Sequence, residues 1–327
     1  MTPDSRTLRD RLEGSQVAIY FAAVIAGALI ALAVSGSASW EAAINPALVL
    51  MLFVTFLQVP LAELGRGFGR LRFLGALLAV NFVAVPLLVA VLVQFVPNDP
   101  MIRLGVLLVL LCPCIDYVVT FAHLGRADAK LLLASTPALL VVQMLLLPIY
   151  LRLFLGTAAS DLVQAGPFLH AFLWLIAIPL ALAVLVQLWA RRSATGARAS
   201  AALGLLPVPA TAVVLLIVIA AVVPQLGQAI GAALRVVPIY IAFAIIAPLV
   251  GWVAARAAKL DAEAGRALAF SAATRNSLVV LPLALAVPGA VPLLPAIIVA
   301  QTLVELIAEL VFIRTVSRLG SALPSIV

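Results

Sequence analysis

Apolar runs about 20 residues long recur from one end of this chain to the other, each closed by a short polar or Gly/Pro-rich piece. A run of that length crosses the hydrocarbon layer of a bilayer as a helix. Ten are legible, over about 16–35, 42–64, 71–96, 103–124, 129–155, 168–190, 203–224, 236–256, 264–287 and 291–313. The loops between them are no longer than about 15 residues, which leaves no room for a soluble domain. Charged residues make up 10% of the chain, against roughly 25% in soluble domains, and the mean hydropathy is +1.26. A water-soluble fold is excluded.

The net charge of +7 points to topology rather than to nucleic acid, because the basic residues are sorted by loop. Counting loops in chain order, one set holds Arg6, Arg9, Arg11, Arg66, Arg70, Arg72, Arg126, Lys130, Arg191, Arg192, Arg198, Arg256, Lys259, Arg266, Arg314 and Arg318, and the intervening set holds only Arg103, Arg152 and Arg235. This alternation of sixteen against three follows the positive-inside rule and predicts that both termini are cytoplasmic, in the cell membrane. The first 15 residues are polar and lack the order of a cleaved signal, so the first span is expected to be retained. Cys112 and Cys114 are the only cysteines and lie two apart in an apolar run, so they form no extracellular framework.

Ten spans divide into two sets of five, and an odd number per half reverses the orientation of the second half, as in inverted-repeat transporters. The fold class expected is an all-α membrane protein, a single transporter domain over 1–327 with a first inverted repeat at about 16–155 and a second at about 168–314. The fourth span carries "CPCIDYVVT" and the ninth "SAATRNSLVVLPLALAVPG", and both place polar and charged residues beside proline in mid-membrane. Interrupted helices at matching places in two halves mark a transport site, because their unpaired backbone groups need a cavity, an ion or a substrate.

Asp116, Arg275, Glu305 and Glu309 are ionisable and lie away from the ordinary interfaces. A charge at the bilayer centre costs about 2.5–3.5 kcal/mol on the insertion scale, so each needs a partner or water. Asp116 and Arg275 read as a transport pathway, with a structural ion pair as the plainer alternative. Glu305 and Glu309 are four apart, hence on one helical face, where two carboxylates repel unless a cation or proton lies between them. Glu309 approaches the cytoplasmic end, where simple hydration is the alternative to a role in the site. Cys112 and Cys114 fit either as small apolar fillers or as soft ligands in a cavity. His123 and His170 read as interface residues, and Asp128 as the N-cap of the fifth span. An intramembrane enzyme would need Cys114 with His123 as nucleophile and base. Nine residues on a helix put them too far apart and on different faces, so no enzymatic activity is expected.

Ten spans with a polar fourth and ninth resemble the bile acid:sodium symporter superfamily, which includes the arsenical-resistance (arsenite efflux) permeases. Three segments carry the likeness: "CIDYVVTFAHLGRAD" at 114–128, "AATRNSLVV" at 272–280 and "TLVEL" at 302–306, with a fainter one in "VPLAEL" at 59–64. The resemblance implies a core from spans 3–5 and 8–10, in which spans 4 and 9 unwind and cross, and a panel from spans 1, 2, 6 and 7. It places Cys114 on the cysteine of the arsenite permeases, Glu305 on their tenth-span glutamate and Asn276 on an asparagine of their ninth span. It also exposes departures. Sodium-coupled members resemble one another in a ninth-span Glu-x-x-x-Gln-Asn-Ser that helps to ligate Na⁺, where this chain has Ser271 and Arg275. Their fourth-span Ser-Asn falls on Val118 and Val119, and arsenite permeases have no acidic residue at Asp116.

The function expected is secondary transport, with proton-coupled efflux of arsenite, antimonite or a similar small solute ahead of uptake of an organic anion gripped by Arg275. Cys114, Asp116, Arg275 and Asn276 are the expected substrate contacts, with Asp116 or Glu305 exchanging the proton and Arg275 pairing with Asp116. A midplane charge such as Asp116 argues against a purely structural or receptor role. No cofactor and no resident metal ion are expected. The expected partners are a small-molecule or metalloid substrate, the lipid bilayer and at most a second copy of the chain in a homodimer, with no nucleic acid.

Overall fold

The computed structural model describes residues 11–12, 14–34, 36–58, 70–115, 117–156, 170 and 173–320. Regular structure among them is helical. In chain order the principal helices are α1 (Gln16–Ala33), α2 (Glu41–Gln58), α3 (Leu71–Phe95), α4 (Pro100–Leu110), α5 (Val118–Leu124), α6 (Ala129–Leu155), α7 (Ile178–Arg192), α8 (Ala194–Leu203), α9 (Pro207–Val222), α10 (Leu226–Ala257), α11 (Ala262–Ala273), α12 (Ser277–Leu285) and α13 (Leu293–Thr315).

Polarity is distributed inside out. Leu29 and Leu32 of α1, Leu87 and Val91 of α3, and Ile245 and Val253 of α10 are exposed, while Asn81, Ser271, Thr274, Arg275, Asn276, Glu305 and Glu309 are buried. A protein in water could not hold that arrangement, whereas in lipid the tails solvate the outer face and the polar groups must satisfy one another inside. The chain is a multi-pass membrane protein.

Six described segments are continuous, apolar and long enough to cross a bilayer: Gln16–Ala33, Ser37–Gln58, Leu71–Phe95, Ala129–Leu155, Ala229–Ala257 and Leu293–Arg318. The ten runs of the sequence and these six helices differ for identifiable reasons. The runs at 103–124 and 264–287 are each broken in the middle, into α4 with α5 and α11 with α12. The run at 203–224 begins inside a helix pair, α8 and α9, bent by 40°. Part of the run at 168–190 lies outside the described residues. Helix α10 starts at Leu226, ten residues before the expected 236, and passes through Pro238 and Pro248 without ending.

The chain sorts into two compact units. The first holds residues 1–59, 161–232 and 278–299, and the second 60–160, 233–277 and 300–327. In the first, α9 packs on α1 and α2, and α7 on α2 and α8. A Cβ on Gly27 would stand 2.8 Å from the Leu216 carbonyl oxygen, so this glycine lets α1 and α9 approach backbone to backbone. The Gln187 side chain donates to the Phe56 and Leu57 carbonyls at the end of α2.

In the second unit α11 is the innermost element: every residue from Ala264 to Ala273 is buried, the pattern of a helix enclosed on all sides. It packs on α3, α5 and α6. Asp128 and Asp261 cap the N-termini of α6 and α11, accepting from Leu131 N and Ala264 N. Before each cap the preceding helix ends in the same way. Arg126 (φ 56°) and Lys259 (φ 53°) take the left-handed conformation, and the N–H groups of Ala127 and Leu260 return to the Ala122 and Ala255 carbonyls. That is the Schellman ending, in which glycine usually occupies the left-handed position. Here the position carries a loop's basic charge instead.

Helix α3 bulges into a π turn over Val80–Ala84. Pro86 has no N–H to give to the Phe82 carbonyl four residues earlier, and the Tyr150 hydroxyl of α6 donates there instead. The bulge places Asn81 in the interior, where its side-chain amide donates to Ser271 Oγ at 3.0 Å.

Candidate functional site

The site is assembled where two helices stop. Helix α4 starts cleanly, with Asp99 accepting from Met101 N and Ile102 N and Pro100 in the first turn. It stops at Leu110, three residues short of Pro113, which cannot donate to a helix and disfavours helical backbone at Cys112. Helix α11 stops at Ala273. The two unwound segments then cross antiparallel, with Pro113 opposite Arg275. Cys114 N donates to Thr274 O at 3.0 Å and Asn276 N to Cys112 O at 2.8 Å. Each segment supplies backbone partners that the other lost on leaving its helix, which is how non-helical chain is tolerated inside a membrane.

Arg275 is completely buried. Its Nη2 reaches Ser271 O at 2.5 Å, Ala272 O at 2.8 Å and Asn81 Oδ1 at 2.9 Å, and its Nη1 reaches Leu110 O at 3.4 Å. The guanidinium thus lies against the carbonyl ends of both broken helices, α4 and α11, where the helix dipoles are negative. The Phe243 ring of α10 covers it, 5.4 Å from centroid to Cζ. Among the described residues the guanidinium hydrogen-bonds to no carboxylate. Asp116, its expected partner, lies outside the described residues.

Two carboxyl groups of α13 meet the crossing at consecutive residues. Glu305 Oε2 accepts the backbone N–H of Arg275 at 2.7 Å and the Gln301 side-chain amide at 2.6 Å, and Oε1 accepts from the Tyr117 hydroxyl. That hydroxyl also lies 3.1 Å from Arg275 O. One turn on, Glu309 meets the Thr274 hydroxyl. Of the two alternatives for Glu309, hydration does not hold: its exposure is 0%, because the face of α13 that carries both glutamates turns inward as far as Phe312. Beside Glu305, a cavity of about 10 Å³ is lined by Tyr240, Phe243, Gln301 and Glu305, the size of a single water.

Cys112 and Cys114 are both buried and are not joined in a disulfide. Asn276 has its N–H in the crossing, and both ends of its side-chain amide are buried without a protein partner among the described residues, so the position can receive a ligand from either hand. His123 is exposed, as an interface residue would be. Sequence reading missed Asn81, Tyr117, Thr274 and Gln301, although each is a polar letter in an apolar run, and the last three lie within four residues of an ionisable group already singled out.

A multi-pass helical membrane protein whose buried charges converge on two broken, crossing helices has the build of a membrane transporter. The chain belongs to the Sodium Bile acid symporter family, whose profile matches residues 45–233, more than half of its length. No curated protein matches it in sequence. The matched stretch contains Asn81, Cys112, Cys114 and Tyr117, while Arg275, Asn276, Glu305 and Glu309 lie beyond it.

Proposed function

We propose that the protein is a secondary active transporter that extrudes a small neutral or anionic solute in exchange for protons, with arsenite or antimonite as the leading substrate. One observation carries the coupling half of this reading: the Arg275 guanidinium is held by three backbone carbonyls and the Asn81 amide oxygen. These are the donors that would suit a sodium ion. The residues present do not fit sodium there, because a tethered cation already takes those oxygens and Ser271 Oγ is engaged by Asn81. Protons are then left to couple transport, and the buried carboxyls of α13 are, among the described residues, groups that can carry them, beside the expected Asp116.

The grouping of 1–59 with 161–232, and of 60–160 with 233–277 and 300–327, supports an architecture of panel and core, while 278–299, placed in the core by the resemblance, groups with the panel segments. Inverted repeats, ten crossings and cytoplasmic termini in the cell membrane belong to the same reading. Cys114 is the proposed metalloid contact, since its backbone is fixed in the crossing by the Thr274 carbonyl and thiolate is a soft ligand. Resistance of an arsenite-hypersensitive host tests the substrate. Cys114→Ser should abolish protection and Cys112→Ser should keep most of it.

The family match favours a second reading, uptake of an organic anion. There Arg275 would have to grip a carboxylate, although its guanidinium already meets four oxygens in this conformation. Equal tolerance of both cysteine changes would shift the assignment to that reading.

A further inference from the structure

We propose that Glu309 is a proton-binding site, neutral in the conformation described, with Thr274 linking its proton to the helix crossing. The two glutamates of α13 are equally buried but differently provided for. Glu305 faces three donors: the Tyr117 hydroxyl, the Arg275 backbone N–H and the Gln301 amide. That is the environment of an ionised carboxylate. Glu309 has Thr274 alone among the described residues, and its Oε2 has no partner. A buried carboxylate ion with a single donor is heavily penalised, whereas a neutral carboxyl group is not.

The hydroxyl of Thr274 explains how the neutral form is seated. Its Oγ lies 2.8 Å from Phe270 O, which can only accept, and it also meets Glu309 Oε1. A hydroxyl has one proton to give and lone pairs to receive. When Thr274 donates to Phe270 O, its lone pair faces Glu309 and is satisfied by a proton on that carboxyl. The opposite arrangement leaves an ionised Glu309 one helical turn from an ionised Glu305. Glu305 lies one turn back on the same helix, Arg275 follows Thr274 in the chain, and Tyr117 and Tyr240 face Glu305, the first by a hydrogen bond and the second across the small cavity. The Arg275 guanidinium is committed to Asn81 and the carbonyls of α4 and α11.

The two carboxyls therefore hold one proton between them, and its release leaves two negative groups against consecutive residues of the crossing. This makes Glu309 the loaded member of the pair in the proton-coupled reading, on which its role in transport rests.

The protonation state is tested without any substrate, by infrared spectroscopy of the full chain in liposomes at neutral pH. The C=O stretch of a buried protonated carboxyl should be present, lost in Glu309→Gln, and kept in Glu305→Gln and Asp116→Asn. Thr274→Val should keep the band and move it, which gives a second reading if Glu309→Gln assembles poorly. A band that is absent, or that survives Glu309→Gln, overturns the assignment. The role in transport is tested separately in proteoliposomes with arsenite as the probe. Glu309→Gln should retain exchange at equal pH and lose accumulation driven by a pH gradient. Gradient-driven transport unchanged in Glu309→Gln would overturn the coupling role. A wild-type protein indifferent to the gradient would overturn the proton-coupled reading itself, while the infrared band still decides the state of Glu309.

Discussion

Glu305 accepts the backbone N–H of Arg275 at 2.7 Å, while the guanidinium of the same arginine turns away from it onto the carbonyls of Ser271 and Ala272. Opposite charges so close on neighbouring helices would be expected to pair through their side chains. Instead the carboxylate fixes the unwound backbone, and the cation caps the helix that ends there. The two charges stabilise the break in α11 from its two sides.

Removing one donor from Glu305 should be felt at once. Tyr117→Phe deletes a hydrogen bond to a charged group, worth about 1.5–3 kcal/mol, and should lower the unfolding temperature of the purified protein. Glu305→Gln should cost more than Tyr117→Phe, because its amide presents donors where the site holds donors already. Thermal unfolding in one detergent compares the three proteins.

Arg275→Lys is not a conservative change here. A single ammonium cannot span the carbonyls of two helix ends and the Asn81 oxygen as a planar guanidinium does. Breaking a buried charge arrangement typically costs about 3–5 kcal/mol, and Arg275→Lys should approach Arg275→Gln in lost stability. Asn81→Ala, which removes one acceptor, should cost less than either.

The two left-handed helix endings offer a change in the opposite direction. A non-glycine residue held there costs about 1–2 kcal/mol, offset in part by the backbone entropy that glycine loses on folding. Lys259→Gly should therefore gain about 0.5–1 kcal/mol in thermal stability, and Lys259→Ala should gain nothing. Arg126→Gly should behave in the same way, since Arg266 Nε bonds to its carbonyl rather than to its side chain.

Gly125 closes α5 against α11. A Cβ there would lie 2.3 Å from ring atoms of Phe270, so Gly125→Ala should destabilise by about 1–3 kcal/mol. Pairing it with Phe270→Leu should recover part of the loss, and a double-mutant cycle measures the coupling.

Sequence reading recovers what depends on local pattern. The apolar run at 129–155 has the bounds of α6, the run at 71–96 ends one residue beyond α3, and the polar interruptions at Cys112–Asp116 and Thr274–Ser277 fall where α4 and α11 stop. What eludes it depends on pairing across the fold. Most of the acceptors that hold Arg275 among the described residues are main-chain carbonyls released by helix breaks, and these have no letter of their own; the pairing expected with Asp116 lies outside the described residues. Nearness to the cytoplasmic end left hydration open for Glu309, yet burial follows the helix face rather than the distance to the membrane surface. The start of α10 was missed because Gly227, Gly231 and Arg235 read as loop, whereas a helix carries isolated glycines at about 1 kcal/mol each.

If Arg275 stands in place of a sodium ion, restoring ligand types should restore the ion. The double change Ser271→Glu with Arg275→Gln gives back the ninth-span carboxylate and amide of the resemblance, and transport by this variant should respond to Na⁺. Indifference to Na⁺ would mean that the oxygens now on Arg275 do not re-form a cation site.

The central claim is tested most directly by transport of arsenite into inside-out proteoliposomes under an imposed pH gradient, with Na⁺ replaced by K⁺ on both sides. Arsenite movement should follow the size and direction of the gradient and should be unchanged by the replacement. Movement that requires Na⁺ and ignores the pH gradient would contradict the claim.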